Sequence, residues 1–269
     1  ENDAKWEACV MTPQEEFDFL GQTLGPVLRA AHPDLLIFVY DHNKDHILKW
    51  VDALQKHPTA RRHADGFAFH WYAGDGFDAI RQIHLEHPQT LLLPSEATYE
   101  RYRWKKNSSV ETGDWSFGEG YAHDIIGDLN AGSIGWMDWN LLLDEDGGPN
   151  HSDNPCDSAM VADLSTGKIY RHPQYYYVGH FSKFILPGSK HVESETTHSQ
   201  TYAGPVRDYG TCTGEDGLHA TVFLRPDGLL AVVVLNCGHY ITDFKLRDGK
   251  RAALVRIPPH SIQTYLLEA

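Results

Sequence analysis

The strongest constraint on the fold is an order that recurs through the first two thirds of the chain. A helix-like stretch is followed by a short apolar run, and the run stops at polar residues. Thr12-Pro13-Gln14-Glu15 opens the first unit as a capping box, with Thr12 the N-cap, Pro13 in the first helical position and Glu15 three residues after the cap. This predicts a helix to about Ala31, then a strand over "DLLIFVYDHN" ending at Asp41-His42-Asn43. "HILKWVDALQKH", with Ile47, Trp50, Val51 and Leu54 on one face, leads to "GFAFHWYAGDG". "GFDAIRQIHLEH" leads to "TLLLPSEA", "GEGYAHDIIGDLNAG" leads to "SIGWMDWNLLL", and the helix pattern "PQYYYVGHFSKFI" closes the series.

Near-continuous apolar strands between amphipathic helices imply an α/β fold whose parallel sheet is covered on both faces. Such sheets collect reactive groups at the carboxyl ends of their strands. Here those ends are Asp41-His42, His70-Trp71-Tyr72, Ser95-Glu96 and Asp138-Trp139-Asn140. After Pro187-Gly188 only strand patterns remain, from "HATVFLRPDGLLAVVVLNCGHYITDFKL", with apolar and polar residues alternating across an Arg225-Pro226-Asp227-Gly228 turn, to "AALVRIPPHSIQTYLLEA". The expected division is residues 1–187 as the α/β part and 188–269 as an all-β module.

Charge narrows the ligand. The formal net charge is −14, and no Lys/Arg run exceeds Lys105-Lys106, which argues against nucleic acid or an anionic membrane as the main partner. The 17 His would lower the self-repulsion in an acidic compartment. Cys9, Cys156, Cys212 and Cys237 form no C-x-x-C pair, so the spacing favours neither a structural zinc site nor a thioredoxin-like motif and leaves one or two disulfides open. Asn107-Ser108-Ser109 and Asn150-His151-Ser152 are glycosylation sequons that matter only in a secreted protein.

Glu96 is the Glu at the head of a strong strand, and its neighbours on the rim are aromatic and hydrogen-bonding. That mixture suits a sugar ring, whose C–H faces stack on Trp while its hydroxyls need directional partners. A P-loop, a G-x-G-x-x-G turn, an H-E-x-x-H helix and a G-x-S-x-G elbow are all absent from the sequence. Each residue also has a plainer reading. Glu96 fits a solvated loop acid, His70 a core His bonded to backbone, Asp41 and His42 helix caps, and Trp71, Trp136 or Trp139 core aromatics. Asp144, Glu145 and Asp146 near Asn150 read as a solvated loop or, less simply, as calcium ligands.

Taken together, the runs "FAFHWYAG", "LLLPSEA", "GWMDWNLLLDEDGGPNH" and "YYVGHFSKFILPGS", with "KWEACVMTPQEE" and "YDHNKD", resemble glycoside hydrolase family 30, the glucosylceramidase family, in order and spacing. The resemblance covers essentially the whole chain. It implies strands five to eight of a (β/α)8 TIM barrel followed by a β-sandwich, and retaining hydrolysis of β-glycosides without cofactor or metal. Glu96 matches the family's nucleophile at the end of strand seven, and Tyr72 matches the tyrosine that hydrogen-bonds it. Trp139 and Asn140 match the aromatic platform and polar contact beside the glucose pocket. Asp41 and His42 fall on the pocket rim, and His70 and Trp71 join them as expected substrate contacts, with Trp71 and Trp139 stacking on the sugar.

One element of the pattern is missing. The family's acid/base is a Glu in an Asn-Glu-Pro motif, normally seven residues ahead of the Trp that Trp6 matches. That count falls just ahead of Glu1, and Glu1 is followed by Asn2, so the expectation is a piece of a longer enzyme whose proton donor lies upstream. The expected substrate is a β-glucoside, glucosylceramide or a β-glucan, with transient lipid contact and a secreted or lysosomal location. Endo-β-1,6-glucanase activity and non-catalytic carbohydrate binding are the competing readings.

Overall fold

In the computed structural model, residues 8–100, 109–197, 199–249 and 251–268 are described. Lys105-Lys106, Asn107 and the Glu1–Trp6 stretch lie outside them. The described residues form two compact units, one of those within 8–97 and 131–139, the other of those within 98–130 and 140–268.

The first unit is built on a parallel sheet of order β1-β2-β3, with β1 Phe38–Asn43, β2 Gly66–His70 and β3 Leu91–Glu96. The opening helix starts where the capping box places it. Thr12 Oγ1 accepts from Glu15 N at 3.2 Å, and Thr12 N donates back to Glu15 Oε2 at 2.8 Å. Helix α1 (Pro13–Phe19) passes through a π turn, Leu20–Leu24, into α2 (Gly25–Ala31), which ends at the expected residue. Helices α3 (Ile47–Gln55), α4 (Pro58–Arg61) and α5 (Phe77–Glu86) complete the unit. Ile47, Trp50, Val51 and Leu54 of α3 are buried, as their spacing requires, in one core with Phe17, Phe67, Phe69, Ile80, Ile83 and Leu92. Strand β2 is buried at all five positions, because helices cover the sheet and a strand lies on each side of it.

The fourth expected strand is irregular. Residues 133–139 run parallel beside β3, with Ile134 N donating to Leu92 O, Met137 N to Pro94 O and Trp139 N to Ala97 O, at 2.9, 2.9 and 3.0 Å. Their spacing is uneven, so no continuous ladder forms.

The second unit holds α6 (Trp115–Asn130), α7 (Pro173–Ser182) and three sheets. The end of the expected strand, Leu142-Leu143, instead joins a small sheet of β4 (Leu142–Asp144), β5 (Met160–Asp163) and β6 (Lys168–Arg171), the last two being runs of four residues with too little periodicity to read from sequence. The four-stranded antiparallel sheet has order β12-β9-β8-β7, from β7 (Lys190–His191), β8 (Leu218–Leu224), β9 (Leu229–Asn236) and β12 (Ser261–Glu268). It packs through Val222, Val232, Val234 and Tyr265 against the pair β10 (Thr242–Asp248) and β11 (Arg251–Ile257). Alternation holds in β10 but fails in β9, whose last six residues are all buried. Helix α6 covers the opposite face of β9, so both sides of this strand are interior. Cys212 and Cys237 are joined in a disulfide, while Cys9, exposed, and Cys156, buried, lie outside any disulfide.

Gly66 opens β2 where a side chain has no room, since a Cβ there would sit on the carbonyl oxygen of Leu91. That oxygen belongs to the paired strand and moves only if the sheet opens. Gly66→Ala is therefore expected to cost roughly 3 kcal/mol, the upper end of the overpacking range, measured by denaturant unfolding of the chain.

Candidate functional site

The carboxyl ends of β1, β2 and β3 meet, and two bulges decide which side chains converge there. Between β1 and β2 the pairing steps from Tyr40↔Ala68 to His42↔Phe69, leaving Asp41 as the extra residue. Between β2 and β3 it steps from Phe69↔Pro94 to His70↔Glu96, leaving Ser95 extra. A bulge reverses the in-out alternation beyond it and re-aims a side chain. The two extra residues meet across the sheet, with Ser95 Oγ donating to Asp41 Oδ1 at 2.6 Å and lying 3.2 Å from Phe69 O.

The first bulge is strained. Tyr40 and Asp41 have φ of 80° and 50°, a region that side chains rarely adopt and that costs about 1–3 kcal/mol per residue. Helix α1 holds it in place. Glu16 Oε1 accepts from Tyr40 N at 2.8 Å, while Oε2 accepts from Trp50 Nε1 at 2.6 Å. The Glu that carries no catalytic signal in the sequence thus anchors the rim.

Around Glu96 the partners are specific. Tyr72 OH donates to Glu96 Oε1 at 3.0 Å. His70 Nε2 lies 3.0 Å from Asp41 Oδ1 and 3.6 Å from Glu96 Oε2, so one buried imidazole stands between two carboxylates. The Glu96 side chain keeps 16% of its surface exposed, enough for a carboxylate oxygen to reach a ligand. Tyr72 is itself fixed at its backbone, where Tyr72 N donates to Asn43 Oδ1 at 3.0 Å. The hydrogen bond from His70, aided by that from Ser95, holds the Asp41 carboxyl below the usual carboxylate range, against the partial desolvation that works the other way.

Three expected substrate contacts are not placed to touch a ligand. Trp71 is 1% exposed and packs its ring edge-on to Tyr72, so it is a core aromatic and not a sugar platform. His70, also buried, acts on the carboxylates from behind. His42 is buried because the bulge at Asp41 turns the next side chain inward, where its ring packs edge-on to Tyr40. Trp139 is different. It is 60% exposed, and its backbone bond to Ala97 sets it beside the residue that follows Glu96.

Asn140 falls in the second unit, where Nδ2 donates to Thr98 Oγ1 at 3.1 Å. The acidic loop is organised by its own backbone: Asp144 Oδ1 accepts from Asp146 N and Gly148 N, and Glu145 Oε2 from Leu164 N. These bonds use the carboxylates as turn caps, which is the plainer of the two sequence readings. Sequence reasoning set Ser95 on the rim without giving it a role, and it gave none to Asn43 or Glu16. Ser95 precedes Glu96, and on a regular strand adjacent residues face opposite sides.

Comparison with known proteins supports the same architecture. The glycosyl hydrolase family 30 TIM-barrel domain model matches residues 1–185, and the glycosyl hydrolase family 30 beta sandwich domain model matches 188–265. The lysosomal acid glucosylceramidase of Mus musculus is 33% identical over 262 residues, 95% of this chain and 47% of the relative. Endo-1,6-beta-D-glucanase BGN16.3 of Trichoderma harzianum is 24% identical over 269 residues, 99% of this chain and 49% of the relative. Among solved structures, SrfJ from Salmonella typhimurium superposes with a TM-score of 0.86 at 28% identity, over 98% of this chain and 54% of that one. The chain spans about half the length of the curated relatives it matches.

Asp41 offers a direct readout of the rim. Its folded pKa is depressed, so the stabilisation is present above the unfolded carboxylate pKa of about 3.9 and is lost as pH falls through the lower folded value. His70→Phe removes the principal donor and should move the Asp41 midpoint up toward that ordinary value in carboxyl carbon NMR. His70→Gln, which keeps a donor, should move it less.

Proposed function

The chain belongs to glycosyl hydrolase family 30, and on that premise we propose that it carries the nucleophile half of a retaining β-glucosidase of glucosylceramidase type, with Glu96 attacking the anomeric carbon. The observation that carries this reading is the placement of Glu96 at the mouth of a parallel strand, partly exposed and oriented by the Tyr72 hydroxyl. A carboxylate fixed by one donor keeps a defined rotamer and retains lone pairs for attack, and the glycosyl-enzyme ester formed is then hydrolysed by water. Asp41, His70 and Ser95 form the support. The His70 ring lies beside both carboxylates, and its hydrogen bond to Asp41 favours the ionised form of that acid.

Trp139, exposed beside the nucleophile strand, offers the flat apolar face on which a glucose ring stacks. A retaining mechanism needs a second carboxyl about 5–5.5 Å from the first to protonate the leaving oxygen. In this reading that proton donor is a Glu supplied from outside the described residues. The domain reading is a catalytic part over residues 1–187 and a sandwich over 188–269, and the limits of the two family models support it.

The glucosylceramide substrate rests on the 33% identity to the mouse lysosomal enzyme over nearly the whole chain. The net charge of −14 disfavours nucleic acid as a partner. No helix among the described residues is long and apolar enough to cross a membrane. A secretory or lysosomal route fits the Cys212–Cys237 disulfide, since such bonds persist in oxidising compartments.

In the whole protein, Glu96→Gln should lower turnover of a fluorogenic β-glucoside on the order of 10³-fold or more while leaving ligand binding nearly intact. Unchanged turnover refutes the assignment. Proton NMR of the first product should show retained anomeric configuration. Hydrolysis of glucosylceramide with inertness toward β-1,6-glucan supports the glucosylceramidase reading, and the reverse result replaces it with the endo-glucanase reading.

A further inference from the structure

A second cluster of reactive side chains lies wholly within the second unit. Helix α6 carries Glu119 and His123 four residues apart, hence on one face. The donor atoms of His123, Cys212 and His219 all lie within 4.8 Å of one another, as do those of Glu119, Cys212 and Cys237. The segment "CTGEDGLH" supplies three of these neighbours, Cys212, Asp216 and His219, from a single turn of chain.

Asp216 completes the group. Its Oδ1 is 3.1 Å from His219 Nε2 and its Oδ2 is 3.6 Å from His123 Nδ1. The Nε2 of His219 meets no aligned hydrogen bond despite that short distance. The rings of His123 and His219 stand at 83° with centroids 5.3 Å apart. Tetrahedral zinc with nitrogen, oxygen and sulfur ligands sets its donors about 3.3–3.8 Å from one another, given the usual zinc–ligand lengths. The two carboxylate–imidazole separations, 3.1 and 3.6 Å, lie close to that spacing, and the sulfur and the two His nitrogens lie within 4.8 Å of one another.

We propose that His123, Asp216, His219 and the thiolate of Cys212 form a tetrahedral Zn²⁺ site that becomes competent when the Cys212–Cys237 disulfide is reduced. A disulfide sulfur is a poor ligand and a thiolate a strong one, so the redox state of one bond sets the affinity of the site. In the reducing step a dithiol exchanges with the Cys212–Cys237 bond, becoming a disulfide itself while its two protons pass to the cysteines. A tertiary phosphine does the same with water, ending as the phosphine oxide. Zinc then displaces the Cys212 proton. Cys9 and Cys156 take no part. The C-x₆-H spacing resembles no standard zinc motif, because the remaining His comes from a helix about ninety residues earlier in the chain.

The test uses the full chain with Cys9→Ser and Cys156→Ser, titrated with Zn²⁺ against a chromophoric chelator, and with Co²⁺ to read ligation by its absorption. The phosphine-reduced chain should bind about one equivalent at least tenfold more tightly than the oxidised chain. It should also show a thiolate-to-cobalt charge-transfer band. Cys237→Ala, which leaves Cys212 free, should bind without reductant. Adding His219→Ala should weaken binding at least tenfold, with circular dichroism confirming an unchanged fold. Equal affinity of the oxidised and reduced chains overturns the proposal, as does reduced-state binding that is indifferent to His219→Ala.

Discussion

The parallel pairing of β2 with a strand on each side is the interaction on which the rest of the first unit depends. All five residues of β2 are buried, so its backbone groups have no access to water and must be satisfied by β1 and β3. Once those ladders form, the carboxyl ends of three strands are held at one level. The helices then cover the faces, and Gly66 is needed because the backbones approach too closely for a side chain.

On that sheet, two single-residue bulges convert a regular rim into a site. Each adds one residue to a strand, and the added residues, Asp41 and Ser95, hydrogen-bond to each other and to the groups around Glu96. The strained backbone at Tyr40 and Asp41 would relax without support. Glu16 supplies it from α1 by taking the Tyr40 N–H, so the opening helix and the candidate site are mechanically coupled. The buried His70, unsuited to touch a ligand, is well placed to hold two carboxylates.

The second unit follows a different rule. Strand β9 is apolar from Leu229 to Leu235 because a helix covers one face and the β10–β11 pair the other. The same enclosure brings α6 against the loop that carries Cys212 and His219. Residues separated by long stretches of chain are thereby gathered in a largely buried setting, with His123, Cys212 and His219 side by side.

Much was legible in the residues alone. The capping box at Thr12, the buried stripe of α3, the three parallel strands and the hairpin at Arg225–Gly228 follow from local spacing and turn chemistry, which act over a few residues. The position of Glu96 at a strand mouth was equally local. Tertiary structure alone decided which neighbours face it. Strand parity predicts that Ser95 and Glu96 diverge, yet the bulges bring both to the rim, and Trp71, which the resemblance sets against a sugar, is buried by packing. Only the folded chain also joins Cys212 to Cys237 and sets His123 beside them. A bulge and a long-range contact arise from backbone pairing between strands and from burial, and neither is encoded in the spacing of any single segment.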